Sequence, residues 1–490
     1  MIRNEGLPNM KLRDLLKDIP VLAASVDLDT EIQEVRYDSR AVKPGDLFVA
    51  VRGFATDGHE YIGMALKKGA AAVVCEQAGK GSPAIVVQDS RAALADIAGN
   101  RFGHPSRRLT MIGVTGTNGK TTTTTLIKHI LECQGHKVGL IGTNENLIGS
   151  EVIPTERTTP ESYELQALFA RMADAGCTHC VMEVSSHSLV LGRVRGVHFA
   201  VGAFTNLTQD HLDFHKTMEA YRKAKAKLFT MCDRGVINLD DGVADKMLAD
   251  AACPCLTFSA EKDAADLSAK NIELGAAGVS FVVATRDAIA RVSLGIPGHF
   301  SVENALAALG VCVALGVPLE DAARALGTAH GVKGRAEVVP TGTEYTVLID
   351  YAHAPDGVSN ILRTVRGFAK GRVIALFGCG GDRDRTKRPI MGHLAAELAD
   401  YCIVTSDNPR TEQPEAIIED ILAGMKDAKV PVDVICDRRE AIYHAMDIAQ
   451  KDDVIVLMGK GHETYQEIDH VKHHMDEREI VADYLREHKK

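Results

Sequence analysis

Long uncharged apolar runs are missing from this chain of 490 residues, which excludes the usual bilayer-spanning helix. The first residues hold no apolar stretch of signal-peptide type, so no leader is expected. Positive charge is in deficit: 56 Lys and Arg stand against 66 Asp and Glu, a formal net charge of -10. That balance argues against general binding to nucleic acid or to an anionic membrane. A cysteine framework is also missing. The 11 cysteines are scattered, which fits a reducing compartment, so a cytoplasmic location is expected. Cys177-Thr178-His179-Cys180 has zinc or redox spacing, but no second pair follows at a zinc-ribbon distance, and packed thiols are expected. Cys253-Pro254-Cys255 stands alone in the same way, and His473-His474 is expected at the surface. There is no fixed-period repeat and no low-complexity segment.

What is present is ordinary apolar content, 45%, in a chain too long for one core. The pattern reads as α/β in three blocks. The first, 1–105, begins with a helix at 10–16, preceded by a loose extension. A strand over 46–51, a helix near 61–68 and a strand over 71–75 follow, then a linker at 103–106. The second block, 106–333, places strands at 109–114, 138–142, 179–185, 200–205 and 235–238. Helical stretches separate them, which implies a parallel sheet with helices on both faces. A hairpin over 279–294 and helices over 302–315 and 319–326 complete it. The third block, 334–490, places strands at 345–350, 372–377, 401–405, 432–436 and 453–458. Polar or glycine-rich turns after four of them should line one edge, where open parallel sheets bind ligands.

The most informative stretch is Gly113-Val114-Thr115-Gly116-Thr117-Asn118-Gly119-Lys120-Thr121-Thr122. An apolar strand, a glycine-rich turn and a helix start make an anion site from free backbone N–H groups and the helix dipole. Lys120 can reach terminal phosphates, and the Thr121 hydroxyl can hold Mg²⁺. Val114 sits where such loops usually carry their first glycine. Glu183 ends an apolar strand, where a carboxylate is costly without a partner, and Mg²⁺ beside the phosphates is the natural one. Asn206, Asp210 and His211 follow another strand, where a second metal or phosphate site would stand. Lys223, Lys225 and Lys227 share a helix that reads equally as a solvated basic face.

The motif Thr115 to Thr122, Glu183-Val184-Ser185-Ser186-His187, Asn206-Leu207 with Asp210-His211-Leu212-Asp213, and Asp350-Tyr351-Ala352-His353 resemble the Mur ligase family. Order and spacing match over essentially the whole chain. The resemblance implies a small α/β N-terminal UDP-binding domain (1–105), a central P-loop parallel-sheet ATPase domain (106–333) and a C-terminal Rossmann-like α/β domain (334–490). It implies an ATP-dependent amide ligase, with Mg²⁺, working through an acyl phosphate on the γ-carboxylate of D-glutamate in UDP-N-acetylmuramoyl-L-alanyl-D-glutamate. Catalytic roles fall to Lys120, Lys225 and His353, with Lys225 carried as a carbamate. Thr121, Glu183, His211 and Lys225 become metal ligands. Gly116, Thr117, Asn118, Gly119, Lys120, Thr121, Thr122, Asn304, Arg335 and Asp350 become ATP contacts. Tyr37, Ser39, Thr158, Thr159, Ser185 and Arg193 become contacts to the UDP substrate. Arg157, Leu191 and Phe54-Ala55-Thr56 depart from the family pattern, the first two standing where asparagine and glutamine are common. A monomer with no nucleic-acid or membrane partner is expected.

Asp407-Asn408-Pro409-Arg410 bears on the incoming amino acid. Meso-diaminopimelate differs from lysine by a second carboxylate, which needs a fixed cation. Arg410 offers a planar fork for it. Such a charge-assisted bond is worth about 1.5–3 kcal/mol net. Within the resemblance this motif marks diaminopimelate-adding members, and Arg383, Asp407, Asn408, Pro409, Arg410, Gly459 and Glu463 become contacts to that amino acid. The alternatives are an L-lysine-adding ligase of the same family, a folylpolyglutamate-synthetase-like ligase, and a nucleotide-binding switch without ligase chemistry.

Overall fold

The computed structural model describes residues 8–53, 56–77, 79, 82–155, 157–329 and 331–488. The chain forms two compact units, one of Met1–Thr257 with Gly310–Gly316, the other of Phe258–Leu309 with Val317–Lys490.

Besides a short two-stranded pairing, the first unit contains two larger arrays of strands among the described residues, each with its own core. The N-terminal sheet runs in the order Val21–Ala24, Ala84–Val87, Ala72–Cys75, Leu47–Val49, Val35–Arg36. Only its edge strand Val21–Ala24 is antiparallel to its neighbour. The helix Ser90–Phe102 packs on it through Ala93, Leu94, Ile97 and Ala98. Asp89 caps that helix by accepting from Arg91 N and Ala92 N, and Gly103, at φ 68°, ends it. The expected helix at 10–16 is shorter: Met10–Lys11 pairs as a strand with Glu31–Ile32, leaving a helix at Leu12–Leu15. Any extension before residue 8 lies outside the described residues.

The second sheet places Val138–Ile141, His179–Glu183, Thr110–Thr115, Phe199–Phe204 and Cys232–Asn238 side by side and parallel. Their near-continuous apolar character is what burial on both faces requires. Glu183 pairs in register with Val114, and Phe204 with Thr115, so the turns after these three strands open on one edge. Two antiparallel strands, Asn146–Ile148 and Glu151–Ile153, extend the other side as a hairpin that the sequence pattern did not announce. Gly149 turns it at φ 60°.

In the second unit, Leu267–Gly275, Gly278–Ala284 and Ile289–Leu294 form an antiparallel meander with strict in–out burial along the last strand. The six-stranded sheet has the order Glu337–Val339, Thr346–Asp350, Val454–Met458, Val373–Phe377, Tyr401–Val404, Val432–Val434. All but the first strand are parallel. Asp350 pairs with Met458 and Phe377 with Val404, so the turns that follow share an edge, as expected. The hairpin Tyr465–Ile468 with Val471–His474 was not anticipated, although His473 and His474 are exposed, as expected.

Cys177 and Cys180 are buried free thiols, as expected. Cys253 corrects the solitary reading of its pair, since its Sγ lies 3.6 Å from that of Cys232. No helix among the described residues is long and apolar enough to cross a membrane.

Beneath the six-stranded sheet's edge, Arg438 and Glu477 form a fully buried ion pair at 2.8 Å. Arg438 also donates to the carbonyls of Met458 (2.7 Å) and Ser406 (3.3 Å), tying two turns together. Breaking such a pair from one side costs about 3–5 kcal/mol, because the remaining charge stays buried. Glu477→Leu is therefore expected to cost that much in chemical denaturation. A loss under about 1 kcal/mol, the range of an exposed pair, would contradict the buried-pair account.

Candidate active site

The phosphate loop grows from the strand Thr110–Thr115 and ends at Gly119, φ 82°, before the helix Lys120–Cys133. The positive end of the helix dipole therefore faces the loop. The loop is braced from the neighbouring strand end: Thr117 N donates to Asn206 O, and Asn118 N to Asn206 Oδ1, each at 2.9 Å. Thr205 Oγ1 donates to Asn118 O at 2.6 Å. Asn206 thus holds the loop's shape.

Two lysines meet on the loop. Lys120 Nζ donates to the carbonyls of Gly116 (2.9 Å) and Thr117 (2.8 Å). Lys225 Nζ donates to the same Gly116 carbonyl at 2.7 Å and lies 4.4 Å from the centre of the Tyr221 ring. Lys225 is only 1% exposed, which excludes a solvated basic face at that position, whereas Lys223 and Lys227 are exposed. Burial, with the Lys120 cation beside it, holds the Lys225 amine well below the usual lysine range.

Glu183, 1% exposed, is fully engaged. Its Oε1 accepts from Thr121 Oγ1 and Thr143 N, and its Oε2 from Thr143 Oγ1, all at 2.9 Å. Gly142 makes room for it: a Cβ there would stand 2.7 Å from Glu183 Oε1. Thr143 Oγ1 also lies 3.0 Å from Thr158 Oγ1. Thr159 Oγ1 donates to the Glu183 carbonyl at 2.8 Å, Ser185 N donates to Thr159 Oγ1 at 3.1 Å, and Arg193 Nη1 donates to Thr159 O at 3.0 Å. Thr158, Thr159, Ser185 and Arg193 are therefore gathered with Glu183 and Thr121. The Tyr37 hydroxyl donates to Glu164 at 2.8 Å. Ser39 stands apart, with its hydroxyl on Met64 Sδ. Phe54 and Ala55 lie outside the described residues.

His211 takes a left-handed backbone, φ 52°. Its Nε2 is 3.4 Å from Asp210 Oδ2, and its ring lies edge-on to His187 at 4.9 Å and to Tyr221 at 6.1 Å. No group of three or more His, Cys, Asp and Glu among the described residues converges as a ready metal site. Thr121 and Glu183 do offer paired oxygen donors of the kind a hard cation takes.

The second unit holds the other candidates. Asn304 is buried in the helix His299–Ala314. Asp350 accepts from Ala336 N and Ala352 N, and burial raises its carboxyl. The Arg335 guanidinium lies over the Tyr351 ring at 5.4 Å, with its buried Nε unbonded. His353 Nδ1 is 2.8 Å from Tyr351 O, and Lys387 Nζ donates to the His353 carbonyl.

Asp407, Asn408, Gly459 and Glu463 meet around a residue the sequence reading passed over. Lys460, with 0% side-chain exposure, donates to Asn408 Oδ1 (2.7 Å) and Glu463 Oε2 (2.8 Å) and lies 3.8 Å from Asp407 Oδ1. Asn408 Nδ2 closes the ring on Glu463 Oε2 at 2.9 Å. Gly459, at φ 113°, is required, since a Cβ there would stand 2.3 Å from Asp407 Oδ2. Arg410 follows Pro409 with φ 52° and donates from Nη1 to Gly381 O (2.8 Å) and from Nε to Glu467 Oε2 (3.1 Å). Gly380 lies between the two candidate arginines: a Cβ there would stand 2.9 Å from Arg410 Nη1 and 3.9 Å from Arg383 Cγ. Lys460 was visible only as one letter of a glycine-rich turn, and no local pattern marks a lysine as buried.

The class follows from comparison. Residues 31–102 match the model of the Mur ligase family, catalytic domain; 114–312 match the Mur ligase middle domain; 334–461 match the Mur ligase, glutamate ligase domain. The chain belongs to the Mur ligase family. It is 50% identical over 486 residues to the UDP-N-acetylmuramoyl-L-alanyl-D-glutamate--2,6-diaminopimelate ligase of Caldanaerobacter subterraneus, covering 98% of this chain and 100% of that one. The ligase of the same name from Clostridioides difficile is 46% identical, over 97% of this chain and 99% of that one. A solved structure of a ligase of that name superposes with a TM-score of 0.74 at 33% identity, covering 99% of this chain and 100% of that one.

Two predictions follow from this geometry. Gly142→Ala must displace the Glu183 carboxylate from Thr121, and is expected to weaken ATP binding at least about tenfold by calorimetry; unchanged affinity would remove Glu183 from the nucleotide site. The depressed Lys225 amine costs the fold free energy wherever the unfolded chain's lysine is protonated, that is, below its usual range. The cost is absent only above that range. Lys225→Met is therefore expected to keep or raise the melting temperature at neutral pH, by up to about 2–4 °C, while phosphate release is lost. A large fall in melting temperature would show Lys225 to be structural.

Proposed function

We propose that this chain is an ATP-dependent ligase that adds meso-2,6-diaminopimelate to the D-glutamate γ-carboxylate of UDP-N-acetylmuramoyl-L-alanyl-D-glutamate, a step in making peptidoglycan precursors. The observation that carries the proposal is end-to-end similarity to ligases of that name, together with Arg410 held at the sheet edge beside the Asp407, Asn408 and Glu463 cluster. Three domains, 1–105, 106–333 and 334–490, divide the work as UDP-substrate, ATP and amino-acid binding. The protein acts as a cytoplasmic monomer.

Phosphoryl transfer to a carboxylate brings two anions together, so the site must supply positive charge without water. Lys120 and the glycine-rich loop of residues 116–122, at the positive end of the helix that follows it, hold the ATP phosphates. Asn304, Arg335 and Asp350 are nucleotide contacts, and His353 has a catalytic role. The γ-carboxylate oxygen attacks the terminal phosphorus, ADP leaves, and an acyl phosphate forms. The amino group of diaminopimelate then attacks the carbonyl carbon, phosphate departs with the carbon–oxygen bond, and the amine loses a proton. Mg²⁺, when bound, supplies charge neutralisation at the phosphates, with Thr121, Glu183, His211 and Lys225 as its proposed holders. A Lys225 amine held below its usual range loses its proton more readily, and the neutral amine can add carbon dioxide, releasing a proton to become an oxygen-bearing carbamate. Tyr37, Ser39, Thr158, Thr159, Ser185 and Arg193 hold the UDP substrate.

Selection of the amino acid rests on paired charges. Arg383 and Arg410 face the carboxylate that lysine lacks, while Glu463, oriented by Lys460 and Asn408, faces an ammonium. A lysine-adding enzyme would leave the Arg410 guanidinium with Glu467 alone to pair with. Arg410→Ala is expected to raise the KM for diaminopimelate about 10–100-fold, with KM for ATP within about twofold. Equal effects on both substrates would contradict the assignment of Arg410.

A further inference from the structure

The hairpin Tyr465–Ile468 with Val471–His474 is laid along the turn that carries Arg410. Gln466 Nε2 donates to Asp407 O at 2.7 Å, and Glu467 N donates to Asn408 Oδ1 at 2.9 Å. Arg410 N donates to Glu467 O at 3.0 Å, and Asp469 N donates to Arg410 O at 2.8 Å. Both main-chain groups of Arg410 are thus fixed by the hairpin, which steadies its left-handed backbone. The Glu467 side chain therefore starts from a set position beside that of Arg410.

Glu467 Oε2 accepts from Arg410 Nε at 3.1 Å, and the two side chains are only 17% and 20% exposed. Arg410 Nη1 is given to Gly381 O. A guanidinium carries five N–H donors. Two are used in this way, and the three that remain, on Nη1 and Nη2, meet no partner among the described residues. A second carboxylate can still be met there, but it would share one cation with Glu467.

Sharing has two effects of opposite sign. The bond to Nε fixes the plane of the guanidinium, so less freedom is lost when a substrate carboxylate docks. The charge works the other way. Two carboxylates on one guanidinium repel each other at a range too short for salt to screen. Glu467 also gives Arg410 a counter-ion in the empty site, so an amino acid without a second carboxylate strands no bare cation. We propose that Glu467 is a positioning residue that sets the specificity of the amino-acid site: it aims Arg410 at the second carboxylate of a diamino diacid and, by partly neutralising that arginine, limits the margin over a diamino monoacid such as lysine. This rests on the function proposed above and adds to it a residue that tunes the choice of amino acid.

The test compares wild type, Glu467→Gln and Glu467→Ala in steady-state kinetics with meso-diaminopimelate and with L-lysine, alongside the melting temperature of each. Glu467→Gln keeps an acceptor for Nε and removes the charge. Its KM for diaminopimelate is expected to fall about 3–10-fold, its kcat/KM ratio of diaminopimelate to lysine to rise by at least that factor, and its KM for ATP to stay within about twofold. Glu467→Ala removes the charge and the acceptor together, and its KM for diaminopimelate is expected about tenfold above that of Glu467→Gln. A glutamate that only held the hairpin would not give this split, because both variants would then weaken all substrates in step with their melting temperatures. An unchanged or higher KM for diaminopimelate in folded Glu467→Gln would overturn the proposal, as would equal KM values in the two variants. If Glu467→Ala does not fold, the Glu467→Gln result decides alone. Wild-type enzyme that makes no amide from diaminopimelate would instead overturn the function, and the proposal with it.

Discussion

A buried carboxylate at a strand end organises the first unit. Glu183 is a full charge at the end of an apolar strand, and it is tolerated only because Thr121 and Thr143 supply three donors to its two oxygens. Those bonds fix the phosphate-loop helix against the neighbouring turn, and Gly142 is a glycine because nothing larger fits beside the carboxylate. The same glutamate's carbonyl holds Thr159, which in turn holds Ser185 and Arg193. One electrostatic constraint thus aligns residues that lie far apart along the first unit.

The second unit solves the converse problem with a buried cation. Lys460 is surrounded by Asn408, Glu463 and Asp407, and each acceptor is thereby fixed in direction. Below it, Arg438 and Glu477 neutralise each other while Arg438 ties the Ser406 and Met458 carbonyls. Rigid support of this kind is what a selective pocket needs.

The parallel strands were legible because both faces are buried and their apolar runs are nearly unbroken; the strands at 138–142, 372–377 and 453–458 stand within a residue or two of expectation. The hairpins at Asn146–Ile153 and Tyr465–His474 were not legible, being short, mixed in polarity and turned by a glycine in one case and by Asp469 and His470 at positive φ in the other. The phosphate loop announced itself through local glycine spacing. Lys225 could be singled out only through family resemblance, since its burial depends on Gly116, over a hundred residues away in the chain. Lys460 and Thr143 escaped for a similar reason: Lys460 reaches Asn408 and Thr143 reaches Glu183, both remote in sequence, and nothing in the adjacent residues records a hydrogen bond made across a sheet edge.

The most direct measurement is a competition. Purified enzyme is given ATP, magnesium, UDP-N-acetylmuramoyl-L-alanyl-D-glutamate and equal concentrations of meso-diaminopimelate and L-lysine, and the products are weighed by mass spectrometry. The account predicts almost exclusively the diaminopimelate-containing tripeptide, with one ADP and one phosphate for each amide. A lysine-containing product in comparable amount, or phosphate released with no amide, would contradict it.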